Sequence, residues 1–161
     1  EYNKYLLEPA GIGILTGFAI VVLSSFLNPL DDVKFSSTTT LMKVGASFYG
    51  GVVEELLTRL FLVSFFVILF SRFKSITSRP NLKYYLAISV AAILFGVGHL
   101  PLAYSLADPT VGLTLVIIFL NSIGGIVFGY LYWKRGIFAA IIAHFMADIL
   151  ILIVWPWVIS F

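Results

Sequence analysis

Five long apolar runs constrain this chain more than any other feature. Their approximate bounds are 10–27, 41–70, 84–103, 110–133 and 137–155. Crossing the roughly 30 Å hydrocarbon core of a bilayer takes about 20 apolar residues in helical form. Within lipid there is no water to bond a bare peptide group, so each span must close its own backbone hydrogen bonds. The expected class is therefore all-α, a polytopic membrane helix bundle with about five transmembrane helices. In 161 residues these spans leave no room for a separate soluble domain, and 1–161 reads as a single membrane-embedded domain. Composition agrees, with 60% hydrophobic and 11% charged residues against roughly a quarter charged in soluble domains.

The formal net charge of +2 is small, and the basic residues sit in loops rather than along a stripe with aromatics between them, so no nucleic-acid partner is expected. With no cysteine, disulfides, thiolate metal sites and a cysteine nucleophile are excluded. The chain starts at Glu1 with no cleavable signal pattern before its first apolar run, as a processed or trimmed core with missing upstream spans would.

Polar punctuation divides the runs. Residues 1 to 9 read as a polar lead with Lys4, and Glu8-Pro9 as a helix start, since proline is tolerated in a first turn. Gly13 and Gly17 form a small-xxx-small pair that lets another helix approach, with no partner named by the sequence. Asn28-Pro29 stops the first helix, and 31–40 is a polar loop. Ser71 to Lys83 is a basic linker, Asp108-Pro109 marks a short turn, and Gly136 closes the fourth helix. Trp155-Pro156-Trp157 suits an interfacial anchor. Lys4, Arg72, Lys74, Arg79, Lys83, Lys134 and Arg135 fall on one side of this topology, and only Lys34 and Lys43 on the other. The positive-inside bias predicts a cytoplasmic N-terminus.

Against this background the second run is unusual, because Glu54, Glu55 and Arg59 interrupt it within a turn and a half. Ionisable groups at bilayer depth cost a few kcal/mol each on insertion scales and by default mark function. The plainer alternative is a neutralised packing cluster, since Glu55 and Arg59 are four apart on one helix face. Small residues ahead of them, Gly45, Ala46, Ser47, Gly50 and Gly51, either allow tight helix contact or leave space beside the glutamates.

The remaining interior polar groups are His99 on the third helix, Asn121 on the fourth, and His144 with Asp148 on the fifth. Asn121 reads as an interhelical hydrogen bonder. Two glycines before His99 and a proline two residues after it predict a helix that ends or kinks there. Each histidine alone would pass for a structural residue. Together with carboxylates on three helices they point to one site. Counted from the helix ends at 1.5 Å per residue, Glu54 and His99 lie about 23 Å deep, Asp148 about 17 Å and His144 about 11 Å, so the fifth-helix pair looks shallower.

A glutamate and a histidine can hold and deprotonate a water for attack on a carbonyl. A second histidine with a polar neighbour can stabilise the resulting oxyanion. That set suits peptide hydrolysis. Glu54, His99, His144 and Asp148 equally make a donor set for zinc with an open position, and spacing does not choose between the two. A proton- or cation-coupled path is a third use of such residues, disfavoured by the absence of an internal repeat.

The motifs Glu54-Glu55-x-x-x-Arg59, Phe95-x-x-x-His99 and His144-x-x-x-Asp148 follow one another on separate apolar helices within a core of 41–150. In this order they resemble the CPBP family of intramembrane proteases, which includes type II CAAX prenyl endopeptidases and bacteriocin-processing or self-immunity proteins. The resemblance implies an intramembrane endopeptidase, with Glu54 and His99 activating water. It puts His144 and Asp148 on the oxyanion side, with Glu55 and Arg59 as support. It also implies a peptide or lipidated protein C-terminus as substrate, membrane lipids as surroundings, and no cofactor, with zinc on the four site residues as the alternative. A non-proteolytic scaffold or immunity protein with the same fold is the rival function. The prenyl endopeptidases carry asparagine where this chain has Asp148. An ionised aspartate accepts hydrogen bonds only, so Asp148 must be protonated, orient His144, or bind a metal.

Overall fold

A computed structural model describes residues 3–27 and 39–158 of the chain. These form α1 (Asn3–Phe26), α2 (40–70), α3 (Lys74–Thr77), α4 (Leu82–Leu106), α5 (Val111–Arg135) and α6 (Ile137–Val158). The all-α bundle is thus present. Among the described residues four helices, α1, α4, α5 and α6, are long and apolar enough to cross a membrane. The fifth long helix, α2, reaches about 45 Å at 1.5 Å per residue but holds the three ionisable residues. The expected stop at Asn28-Pro29 and most of the 31–40 loop lie outside the described residues.

Local chemistry sets the helix ends. Thr39 caps α2 by accepting from Met42 N, and Thr110 caps α5 by accepting from Leu113 N. Gly136 alone joins α5 to α6, at φ 87°, where a side chain would be strained. The chain is helical before Glu8-Pro9, contrary to the polar-lead expectation. Its first turn, Asn3–Leu7, is π-helical, the wider register that precedes a proline unable to donate. Arg135 holds this turn in place by donating to the Lys4 carbonyl and pairing with Glu8. Within the basic linker, Lys74–Thr77 makes one short helix.

In lipid, apolar side chains gain little by leaving the tails for one another, so close backbone approach carries more of the packing. Gly13 and Gly17 supply it between α1 and α6. A Cβ at Gly13 would run into the Ala143 carbonyl, and one at Gly17 would stand 2.8 Å from the Ala147 carbonyl oxygen. The small-residue pair therefore has α6 as its partner, and the two helices run parallel. Between α4 and α5, which run antiparallel, Gly125 meets Ala92 and Gly129 meets Ile88. Ser122 bonds across that contact to the Ala92 carbonyl at 3.2 Å. Asn121 does not make the cross-helix bond expected of it. Its amide donates to Ile117 O of its own helix at 2.8 Å, one turn back, where the carbonyl keeps a second lone pair within reach.

The packing makes a paired prediction. Gly13→Val should cost about 1–3 kcal/mol, the usual range for overpacking. Gly11→Val, two residues away with nothing within 4 Å of its Cβ position, should cost nothing measurable. Thermal unfolding of the two variants in detergent tests this, and equal melting temperatures would mean that α1 and α6 do not meet there.

Candidate active site

The site begins with two stretches of π-helix in α2, Tyr49–Glu54 and Leu56–Val63, on either side of Glu55. A π turn closes with one residue more than an α turn and so shifts which side chains share a face; such turns recur at functional sites. Here Glu55 and Arg59 point inward and are fully buried, while the Glu54 side chain keeps 24% of its surface exposed.

Glu55 and Arg59 form the ion pair that their spacing allows. The guanidinium grips the carboxylate twice, Nε to Oε2 at 2.9 Å and Nη2 to Oε1 at 2.9 Å. A bidentate pair is the geometry that best offsets the desolvation of both charges. Glu55 Oε1 also faces His144 Nδ1 at 2.8 Å, so one carboxylate ties α2 to α6. Arg59 Nη1 is buried without a hydrogen-bond partner, and the guanidinium lies over the Phe95 ring at 5.3 Å, a cation–π contact that replaces part of its lost hydration.

His99 stands at a break within α4, as the glycines and Pro101 led one to expect. Its N–H bonds to Gly96 O at 3.2 Å, in a tighter turn than the α-helix, and the helix restarts with Ala103 N on the His99 carbonyl. The Phe95 carbonyl takes His99 Nδ1 instead, at 2.9 Å. A carbonyl only accepts, so Nδ1 bears the proton and Nε2 is turned toward Glu54. His144 is fixed by three contacts: Phe128 stacks on it at 4.8 Å between centroids, Phe95 meets it at right angles at 5.8 Å, and Glu55 binds Nδ1.

The open Nε2 of both rings then faces one carboxylate from two directions. Glu54 Oε2 is 3.8 Å from His99 Nε2 and 4.0 Å from His144 Nε2, and Asp148 Oδ1 is 3.7 Å from His144 Nε2. These gaps are too long for direct hydrogen bonds and short enough for one water to bridge. Glu54, His99 and Asp148 are each between a fifth and a third exposed, so together they make the accessible side of the cluster.

All six residues singled out from sequence are thus brought together, including the fifth-helix pair that looked too shallow. Counting from helix ends misjudged its level in part because α2 extends past α5: Ser64, six residues short of the α2 end, bonds Tyr132, three short of the α5 end, an overhang of about 5 Å. Among the described residues no three His, Asp or Glu side chains have metal-holding geometry. Tetrahedral zinc at about 2.0–2.1 Å from each ligand would bring ligand atoms to about 3.3 Å of one another, closer than those found.

Three further residues shape the site. Phe95 touches Arg59, His99 and His144, and its place four residues before His99 was its only sequence signal. Phe128 had none. Gly50 answers the question about the small residues: a Cβ there would stand 2.5 Å from Asp148 Oδ2 and 3.3 Å from His144 Nε2, so its absence lets α2 and α6 close over the site.

A family model described as type II CAAX prenyl endopeptidase Rce1-like matches residues 36–150, a stretch that holds every one of these residues. Comparison with curated proteins and with solved structures returned no match.

The buried pair makes its own prediction. Arg59→Met leaves Glu55 charged and half-satisfied without exposure, and should cost about 3–5 kcal/mol. Glu55→Gln with Arg59→Met should cost clearly less than the two single changes summed, because the second change removes the stranded charge. Denaturant titration in micelles measures the cycle; strict additivity would mean that the two side chains are not coupled.

Proposed function

The chain belongs to the Rce1-like family of type II CAAX prenyl endopeptidases, and on that premise we propose that it hydrolyses a peptide bond at the membrane with a water activated by Glu54 and His99. The observation that carries this reading is the convergence on Glu54 Oε2 of His99 Nε2 and His144 Nε2, from three separate helices.

A water bridging Glu54 and His99 gives up a proton as its oxygen attacks the scissile carbonyl carbon. The carbonyl electrons move to oxygen, and the charge that develops there is met by His144 Nε2–H. Because Nδ1 already donates to Glu55, His144 offers this second donor in its doubly protonated form, with Glu55 and Asp148 as flanking carboxylates. Collapse of the tetrahedral intermediate breaks the C–N bond, and the proton held at Glu54 or His99 passes to the leaving amine. Asp148 serves as the anionic neighbour that orients His144, a role open to an aspartate where an asparagine would itself donate. Phe95 and Phe128 keep the imidazoles from rotating away.

The mechanism proposed uses no metal, and the Nε2-to-carboxylate spacings support that choice. Substrates are peptides or prenylated protein C-termini, the class the family acts on. The basic residues Lys4, Lys134 and Arg135 gather at one end of the bundle, with Lys83 over Tyr84 and Tyr84 stacked on Trp133 beside them. We assign that end to the cytoplasm.

Cleavage of a prenylated peptide by purified protein tests the proposal. Glu54→Gln and His99→Ala should each lower kcat by about 10²–10⁴ while leaving the melting temperature near the wild type. Prolonged chelation should leave the wild-type rate unchanged. A Glu54→Gln protein as fast as wild type would end the water-activation role, and activity lost on chelation and restored by zinc would replace this mechanism with a metal-dependent one.

A further inference from the structure

An open groove of about 630 Å³ lies between α1, α4 and α5 at the basic end. Its floor is apolar, formed by Ile12, Ile88, Ile126, Val127 and Leu131. A second groove of about 270 Å³ shares Ile12 and Val127 with it and lies over Leu15, Ala19 and Ile123. From Glu8 to Ala19 along α1 the two together span about 16 Å, roughly the depth of one leaflet's hydrocarbon, half of about 30 Å.

The mouth differs from the floor. Glu8 is already taken by Arg135. Lys134 has no carboxylate partner among the described residues, and its ammonium rests over Trp133 at 3.5 Å and Tyr130 at 5.8 Å. Lys4 is at the same end, its carbonyl bonded by Arg135. Among the charged residues that line the mouth, Glu8, Lys134 and Arg135, one cation is in excess. Tyr85 and Tyr130 line it, and Tyr84 and Trp133 stack beside it, which sets it at the level of an interfacial aromatic belt.

We propose that this groove is a binding site for an anionic phospholipid, with the phosphate at Lys134 and one acyl chain laid along Ile12, Val127 and Ile123. Positive charge at headgroup level, above an apolar channel of leaflet length, fits a phosphodiester joined to a hydrocarbon chain. A zwitterionic lipid offers the same chain but carries its own cation to the mouth, where Lys134 repels it. The site is separate from the Glu54 cluster and does not depend on the protease reading.

Native mass spectrometry of the full chain, equilibrated with vesicles of equal phosphatidylglycerol and phosphatidylcholine, tests the proposal. The wild type should retain phosphatidylglycerol about tenfold over phosphatidylcholine. Lys134→Gln should bring that ratio close to one without changing peptide cleavage. Ile12→Trp with Val127→Trp, which fills the channel, should remove retention of both lipids, and Lys74→Gln on α3 should change neither. Equal retention of the two lipids by the wild type, or a preference that survives Lys134→Gln, would overturn the site. So would displacement of the retained lipid by a prenylated peptide, which would make the groove a substrate channel instead.

Discussion

One buried carboxylate organises this bundle. Glu55 is gripped twice by Arg59 on its own helix and bonded by His144 from α6, with neither member of the ion pair exposed. Each charge taken alone would be prohibitive at that depth. Their geometry limits the cost, and removing any one member leaves the others stranded. The network fixes the azimuth of α2 and, through Nδ1, the direction of the His144 ring. Phe95 extends the arrangement to α4 by lying under the guanidinium and beside both imidazoles. Three helices are thereby locked around Glu54, the carboxylate left partly accessible.

Support and chemistry are thus divided between adjacent residues. Glu55 spends its lone pairs on protein groups, whereas Glu54 makes no direct contact shorter than the 3.8 Å to His99 among its ion-pair neighbours. Such a division suits catalysis, because a group meant to handle a water must be held close without being consumed by its holders. Close packing by small residues keeps the walls thin enough for this. Gly50 sets the α2 backbone against the Asp148 and His144 side chains, and Gly13 and Gly17 set α1 against the α6 backbone that carries them.

Much of this was legible in the sequence because lipid makes polar residues conspicuous. In so apolar a chain Glu54, Glu55, Arg59, His99, His144 and Asp148 stand out without a structure, and the i,i+4 spacing of Glu55 and Arg59 already specifies their pairing. The break at His99 followed from Gly96, Gly98 and Pro101. Other features depend on quantities that spacing does not encode. The π turns of α2 are a choice of hydrogen-bond register, and no hydrophobic period reports it. The level of His144 depended in part on how far α2 overhangs α5, which the Ser64–Tyr132 bond reveals and counting from helix ends does not. Asn121 chose its own helix because the carbonyl one turn back was in reach. Phe128 is one apolar residue among many until the fold lays it on an imidazole.

The central claim is that a water held by Glu54 and His99 attacks the substrate directly. The rival use of the same carboxylate is as a nucleophile that forms an acyl intermediate. Single-turnover cleavage in H₂¹⁸O, followed by mass analysis of the product and of the peptide containing Glu54, detects an acyl intermediate that water opens at the Glu54 carbonyl. Direct attack predicts one ¹⁸O in the new product carboxyl at the first turnover and none in Glu54. Product carrying only ¹⁶O, with the label appearing in the Glu54 side chain, would contradict it.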